Sequence, residues 1–164
     1  MATKINNLKS LYIDLLKDLY SAETQIEKAL PKMAKAAQSP ELKKSFEEHL
    51  AQTHRHIERL KEAFLDLEGS PKGKKCVGME GLLKEGEELL KAEVSPDVLD
   101  AGLIAAAQKV EHYEIASYGT ARTYAQTLGY EDAAELLQET LDEEGAANEK
   151  LSMLAESNIN MEAV

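Results

Sequence analysis

The sequence is poor in the residues that build disulfide-bonded, membrane-spanning and β-rich proteins. Its 164 residues include one cysteine, Cys76, and no tryptophan, and aromatic residues make up only 5%. One cysteine excludes a disulfide within the chain, which agrees with a reducing compartment. No apolar run approaches the roughly 20 residues of a membrane span, and residues 1–8 contain no apolar signal segment. We therefore expect a cytoplasmic protein that does not bind membranes.

Positive charge is also scarce. The 19 Lys and Arg residues stand against 30 Asp and Glu residues, so the formal net charge is -11. Such a chain lacks the basic surface that replaces counterions on phosphates or binds anionic lipids, so we expect no nucleic-acid partner. An acidic surface is ordinary for a soluble protein. The same surplus of carboxylates also allows some of them to face a cation in the interior.

The abundant residues are Ala, Leu, Glu and Lys, which favour helices. Apolar residues recur in steps of three and four, and the length suits a single domain over residues 1–164. Ser39 and Ser95 each precede a proline, as helix N-caps do, and Gly129 marks a helix end. Pro31 predicts a kink or a split in the first helix. We predict four long helices and a short one, at 7–37, 40–68, 79–91, 96–128 and 131–156, with frayed residues after the last.

Two similar helical hairpins of this length pack as an all-α four-helix bundle, with the short helix between the second and third long helices. Carboxylates interrupt the apolar faces of three of these long helices. Glu23 lies about 45° from the centre of the first apolar stripe, at about 100° per residue. Glu111 and Glu114 lie within about 35° of the third stripe's centre, and Glu144 within about 20° of the fourth's. Carboxylates on several helices therefore point into one core.

Burying unpaired carboxylates is costly, at roughly several kcal/mol each. No Lys or Arg falls on the inner stripes near these acids, and Arg122, about two turns past Glu114, is the nearest. The carboxyls must either share protons or be neutralised by a cation. A bound metal ion is the simpler explanation.

The second helix supplies imidazoles. His49 lies about 45° from the apolar stripe, His56 about 65° and His54 about 95°. We favour His49 as an inward ligand, then His56, then His54, and each has the alternative of a surface or hydrogen-bonded side chain. His112 faces away from its own stripe.

Four stretches resemble a known family. They are Tyr20–Gln25 (YSAETQ), His49–Leu60 (HLAQTHRHIERL), Cys76–Leu82 (CVGMEGL) and Ala105–Thr120 (AAAQKVEHYEIASYGT). Together they resemble the YciE/YciF family of bacterial ferritin-like stress proteins, and the last stretch is the most specific. The resemblance covers nearly the whole chain. It implies a four-helix bundle with a di-metal centre, and a dimer as in some members of that family.

The wider ferritin-like class provides a ligand template. It takes one Glu from each of two helices and a Glu-x-x-His from each of the other two. By this resemblance Glu23 and Glu144 are the carboxylates of the first and last helices. Ala51 stands before His54 where family members often have Glu, and Asn148 follows Glu144 where the template has His. These departures predict weaker binding at one metal position, with Gln52 as a neutral remnant of an acid.

The leading hypothesis is a metal-binding protein with a di-iron centre, or manganese, that reacts with oxygen or peroxide. The predicted ligands are Glu23, His49, His56, Glu111, Glu114 and Glu144. Tyr20, Tyr113 and Tyr118 are expected near the centre, as core aromatics or redox neighbours. The alternative is a non-enzymatic stress or scaffold protein with a polar acidic core. A hydrolase is a weak third hypothesis, because no catalytic triad is visible, although the lysines before Cys76 could lower the pKa of its thiol.

Overall fold

The computed structural model describes residues 4–164, and every regular element in that range is a helix. The elements are α1 (Leu8–Ala36), α2 (Pro40–Ala63), α3 (Val77–Lys91), α4 (Pro96–Leu128) and α5 (Glu131–Leu154), then a π-helical turn (Ala155–Ile159) and α6 (Asn160–Glu162). The predicted all-α fold, with a short helix between the second and third long helices, is confirmed. No helix in the described range has the length and apolarity needed to cross a membrane.

The four long helices form the bundle. Helix α1 packs against α2 and α4, and α5 packs against the same two helices. Helices α1 and α5 therefore occupy opposite corners, as do α2 and α4. Helix α3 lies outside this square, against α4 and α1. Gly102 allows the close approach of α3 to α4, because a Cβ atom there would lie 2.6 Å from Leu89 Cδ2.

The predicted helix ends are largely confirmed. The Ser39 hydroxyl accepts a hydrogen bond from the backbone N–H of Leu42 at 3.3 Å, with Pro40 as the first helical residue. Gly129 ends α4 with φ of +80°, a left-handed conformation that favours glycine. Helix α1 runs unbroken through Pro31, so the predicted alternative of a split at that residue is wrong.

Two other predicted ends are wrong. Helix α2 stops at Ala63 instead of residue 68, because the backbone tightens to bury Phe64 and Leu67. The N–H of Leu65 accordingly bonds to the carbonyl of Glu62, three residues back, at 2.9 Å. The C-terminal segment is helical rather than frayed, since Ile159 is buried in the core.

The connection between α1 and α2 is tied to α4. The buried Asp100 carboxylate accepts hydrogen bonds from the backbone N–H groups of Gln38, at 2.8 Å, and Ser39, at 2.7 Å. These donors lie at a helix junction, where backbone groups lack partners within a helix. Asp100 therefore fixes the angle at which α2 leaves α1.

The bundle interior contains two separate apolar clusters. One includes Ile26, Phe46, Leu103 and Leu151, and the other includes Leu19, Leu60, Tyr118 and Leu137. The two sets nearly adjoin on α1, but they are separated by about two turns on α4, from Val110 to Tyr118, and by about four turns on α2, from Phe46 to Leu60, and on α5. A polar layer fills this gap at the middle of the bundle.

Candidate metal centre

Six ionisable side chains from the four long helices meet in the polar layer. Taken over all its atoms, each of the six residues is at most 6% exposed. They are Glu23 from α1, His49 and His56 from α2, Glu111 and Glu114 from α4, and Glu144 from α5. We call these six residues the core cluster. They are the six ligands predicted from the sequence, and metal binding by them stays a prediction.

The first half of the core cluster is formed by Glu23, His56 and Glu144. The Nδ1 atom of His56 lies 3.1 Å from Glu23 Oε1 and 3.0 Å from Glu144 Oε1. Two ligands at right angles, with bonds of about 2.1 Å to one cation, lie about 3.0 Å apart. The three atoms are therefore spaced as neighbouring ligands of one ion.

The second half is formed by His49, Glu111, Glu114 and Glu144. His49 Nδ1 lies 3.4 Å from Glu111 Oε1, and His49 Nε2 lies 4.0 Å from Glu144 Oε2. Each of the four residues offers a ligand atom within 4.8 Å of the others. This half has three carboxylates and one imidazole.

Glu144 belongs to both halves. Its Oε1 atom faces His56, and its Oε2 atom faces His49. A carboxylate whose two oxygens face two separate ligand groups has the arrangement of a bridge between two cations.

The hydrogen-bonding state of the core cluster tests whether a cation fits. Every one of its six residues has a buried nitrogen or oxygen without a hydrogen-bond partner, and in Glu114 and Glu144 both oxygens lack one. Buried polar groups are rarely left unpaired, because each costs about 1–3 kcal/mol. Within residues 4–164 no Lys or Arg pairs with these carboxylates, and the Arg122 guanidinium bonds Gln138 Oε1 at 2.6 Å instead.

The donor set also fits. Four carboxylates and two imidazoles equal the ligand count of the ferritin-like template. Here both imidazoles come from α2 and two carboxylates come from α4, so the distribution among helices differs. Hard oxygen ligands with imidazole suit iron and manganese.

The close packing of ionisable groups shifts their proton affinities. Burial lowers the pKa of His56, but the carboxylates of Glu144 and Glu23 outweigh burial and raise that pKa to about 10. Burial, with the neighbouring Glu144 charge, raises the pKa of both Glu111 and Glu114. Burial also acts to raise the pKa of Glu144, but the adjacent Glu111 and the histidines lower it to about 2. Protons on His56, Glu111 and Glu114 thus neutralise part of the metal-free cluster.

A second set of contacts holds His56 from its other side. His56 Nε2 lies 2.8 Å from Glu143 Oε2, and the Arg59 guanidinium binds both Glu143 oxygens at 2.9 and 3.1 Å. Burial acts to raise the pKa of Glu143, but Arg59 and His56 lower it to about 2. Glu143 is absent from the ligands that the sequence predicted, and the structure places it against His56, a member of the core cluster. Arg59, one turn after His56, was the signal that a carboxylate from another helix reaches this point.

One of the three predicted tyrosines reaches the core cluster. The Tyr118 hydroxyl donates to Glu23 Oε1 at 2.6 Å. Tyr113 instead donates to Asp18 Oδ2 at 2.5 Å and lies 3.0 Å from Cys76 Sγ. Tyr20 packs at the edge of the apolar cluster that contains Leu19. Within the described residues, neither Tyr113 nor Tyr20 forms a hydrogen bond with a member of the core cluster.

Cys76 caps the start of α3. Its sulfur accepts from the backbone N–H of Met79, and its side chain is fully buried. Burial raises the pKa of the Cys76 thiol. The suggestion that the neighbouring lysines lower the pKa of this thiol is therefore wrong, because desolvation disfavours the thiolate.

The positions that depart from the family template lie outside the core cluster. Ala51 is exposed, and His54 is exposed and pairs with Glu27 at 3.1 Å. Asn148 accepts a hydrogen bond from Gln108 at 3.3 Å. None of these departures removes a member of the core cluster. The number of ligands in the cluster therefore does not reflect the weaker metal position that the departures predicted.

A small apolar cavity adjoins the core cluster. It has a volume of about 20 Å³ and is lined by His49 and Glu111 together with apolar side chains that include Ile26, Phe46 and Val110. Such a space holds about one water-sized molecule. A small neutral molecule therefore fits beside the second half of the core cluster.

Comparison with known proteins agrees with this architecture. Residues 7–164 match the family described as "Domain of unknown function (DUF892)". Protein YciF of Escherichia coli (strain K12) is 48% identical over 161 residues, covering 97% of this chain and 96% of YciF. The crystal structure of the E. coli stress protein YciF has a TM-score of 0.92, over 95% of this chain and 99% of that one.

Two further solved structures are similar. YcfI from Rhodopseudomonas palustris is 42% identical, with a TM-score of 0.89 over 93% of this chain and 97% of its own. A protein from Xanthomonas campestris pv. campestris is 22% identical and shares the fold, with a TM-score of 0.77 over 94% and 95% of the two chains. This chain therefore belongs to the DUF892 family, and its similarity to YciF agrees with the YciE/YciF resemblance in its sequence.

Proposed function

We propose that this chain is a metal-binding protein whose core cluster holds two divalent metal ions, iron by preference and manganese as the alternative. The observation that carries the proposal is the set of buried ligand atoms that lack hydrogen-bond partners, with at least one on each of six residues from four helices. One unpaired acid in a core is a local defect. Four carboxylates and two imidazoles that converge form a coordination site that two cations would satisfy.

The geometry divides the ligands between the two ions. Glu23 and His56 would hold one ion, and His49, Glu111 and Glu114 would hold the other. Glu144 would bridge them, because its oxygens face opposite halves. The Tyr118 hydroxyl orients Glu23, and Glu143 with Arg59 orients His56.

We extend the proposal to reaction with oxygen or peroxide in a stress response. Ferrous iron held by these residues would supply the electrons that reduce such oxidants. The chain contributes a water-poor core and the apolar cavity beside His49, which admits one small neutral molecule. The E. coli relative is described as a stress protein. A cytoplasmic homodimer is part of this proposal.

One observation favours a second candidate, a scaffold protein with a polar core and no metal. Glu111 and Glu114 have raised pKa values, so protons can neutralise part of the cluster without a cation. This alternative leaves both ring nitrogens of the buried His49 without a hydrogen-bond partner, whereas a metal ion would bind one of them.

Metal content separates the two candidates. Untagged protein would be purified, reconstituted anaerobically with ferrous iron and measured by mass spectrometry for iron and manganese. We expect about two ions per chain, loss of both in Glu144→Ala, and retention in Glu149→Ala, an exposed position on the same helix. Wild-type protein without metal after reconstitution would overturn the metal-binding proposal in favour of the scaffold. Consumption of oxygen or peroxide by the loaded protein then tests the reaction.

A further inference from the structure

A second pocket, lined by both polar and apolar groups, opens between α2 and α5 beside the core cluster. It has a volume of about 110 Å³, several times that of the apolar cavity. Seven residues line it: Ser45, Glu48, His49 and Gln52 from α2, and Ala146, Ala147 and Lys150 from α5. Space of this size holds several water molecules.

His49 forms the inner wall of this pocket. The imidazole is 7% exposed, and neither ring nitrogen has a hydrogen-bond partner. On its inner side the ring lies 3.4 Å from Glu111 and 4.0 Å from Glu144. His49, itself a member of the core cluster, therefore lies between the pocket and the carboxylates of Glu111 and Glu144.

The gap exists because α5 presents small residues opposite His49. Gly145, Ala146 and Ala147 follow one another on this helix, and Ala146 and Ala147 line the pocket together with Lys150. One turn earlier on α5, Glu143 and its partner Arg59 cover His56. The opening is thus confined to the His49 side of the core cluster.

The pocket lining suits a hydrated cation. The Glu48 carboxylate lies at the exposed mouth, where it pairs with Lys150 and lies 3.7 Å from Lys44. Ser45 lies one helical turn before Glu48 on α2 and Gln52 one turn after it, and their side chains add a hydroxyl and an amide oxygen to the lining. Oxygen ligands of this kind replace the water molecules of a hard divalent cation one at a time. The apolar cavity is lined mainly by apolar side chains such as Ile26, Phe46 and Val110, so it suits small neutral molecules.

We propose that this pocket is the route by which divalent cations reach the core cluster, with His49 as its movable inner wall. The inference rests on the proposed metal-binding function. An arriving cation displaces Lys150 from Glu48, passes the oxygens of Gln52 and Ser45, and enters when the imidazole turns. The free ring nitrogens make that turn inexpensive, because no hydrogen bond is broken.

The rate of metal uptake tests the route independently of any oxidation activity. Anaerobic protein would be mixed with Co²⁺ in a stopped-flow instrument, and the visible absorption bands of cobalt would report arrival at the core cluster. Ala146→Leu narrows the pocket, and we expect uptake about tenfold slower at an unchanged final stoichiometry. Ala116→Leu is the matched control, since Ala116 is also an exposed helical alanine but lies on α4, outside the pocket.

A charge variant provides the opposite test. Lys150→Gln removes the ammonium group that pairs with Glu48. We therefore expect faster Co²⁺ uptake that depends less on ionic strength. Uptake by Ala146→Leu at the rate of Ala116→Leu, or an unchanged rate in Lys150→Gln, would overturn the route while leaving the metal centre intact. Wild-type protein that binds neither Co²⁺ nor Fe²⁺ would overturn the metal centre itself, and the route with it.

Discussion

His56 Nε2 lies 2.8 Å from Glu143 Oε2, on the opposite side of the ring from the two core carboxylates. A carboxylate on Nε2 requires the proton to be on that nitrogen, which leaves Nδ1 as the atom that can bind a cation. Arg59 holds Glu143 through both oxygens and so fixes the orientation of the imidazole. Glu143 and Arg59 are positioning residues rather than ligands.

Replacing Glu143 tests this relationship. In Glu143→Gln we expect metal affinity to fall about 10- to 100-fold, since partners of metal-binding histidines typically contribute this much. The visible bands of the cobalt-loaded protein should also shift, because the orientation and basicity of the imidazole change. Titration of the chelator-treated protein with Co²⁺ measures both effects.

Glu139→Gln is the control for Glu143→Gln. Glu139 also pairs with Arg59, at 3.1 Å, but it is mostly exposed and makes no contact with His56. We expect the Co²⁺ affinity and the visible cobalt spectrum of Glu139→Gln to match those of the wild type. Equal behaviour of the two variants would mean that Glu143 serves only the surface ion pair.

The division of ligands predicts selective loss of single ions. Glu23→Gln should remove the ion of the first half, and Glu114→Gln that of the second, leaving about one ion per chain in each variant. Glutamine keeps the shape but contributes no negative charge. Iron counting by mass spectrometry after anaerobic reconstitution gives the stoichiometry. Loss of both ions in each variant would show that the two halves bind as one unit.

Asp100 provides a test of the fold that is independent of the metal. Its carboxylate accepts hydrogen bonds from Gln38 and Ser39, both from backbone N–H groups. Asp100→Ala leaves these donors unpaired, so we expect about 2–3 kcal/mol less stability towards urea. Asp97→Ala, at an exposed position in the same helical turn, is the control. A loss of metal stoichiometry in Asp100→Ala would contradict a purely structural role.

The helices could be predicted from the sequence because their signals are local. Prolines follow Ser39 and Ser95, and apolar residues repeat with the helical period. The ends of α2 and the C-terminal segment depend instead on tertiary burial of Phe64, Leu67 and Ile159. Burial against distant residues leaves no local pattern, so these ends were predicted wrongly.

The position of the core acids could be predicted for a similar reason. Glu23 and Glu144 each interrupt an apolar stripe, and the direction of a side chain from a helix axis is a local property. Glu143 was missed because a long side chain can reach back towards a partner on another helix. Its partners, His56 and Arg59, lie on α2, and only the packing of α2 against α5 brings the three together.

The metal-free protein should respond to pH through Glu114. This side chain is fully buried and both its oxygens lack partners, so burial and the neighbouring Glu144 charge raise its pKa. Above about pH 4.5 the unfolded chain releases a proton that the folded chain retains, so stability falls with rising pH until the folded-state pKa is reached. The slope is at most about 1.4 kcal/mol per pH unit for one proton.

Glu114→Gln removes this titration without changing the shape of the side chain. We therefore expect the metal-free variant to be more stable than the wild type at pH 7, by an amount that shrinks towards pH 4.5. Urea unfolding of chelator-treated proteins between pH 5 and pH 8 measures the difference, with the exposed Glu135→Gln as control. Added iron should reverse the order, because a cation stabilises the folded wild type by mass action and binds the variant less well. A wild type that remains less stable than the variant in saturating iron would mean that Glu114 is not a ligand.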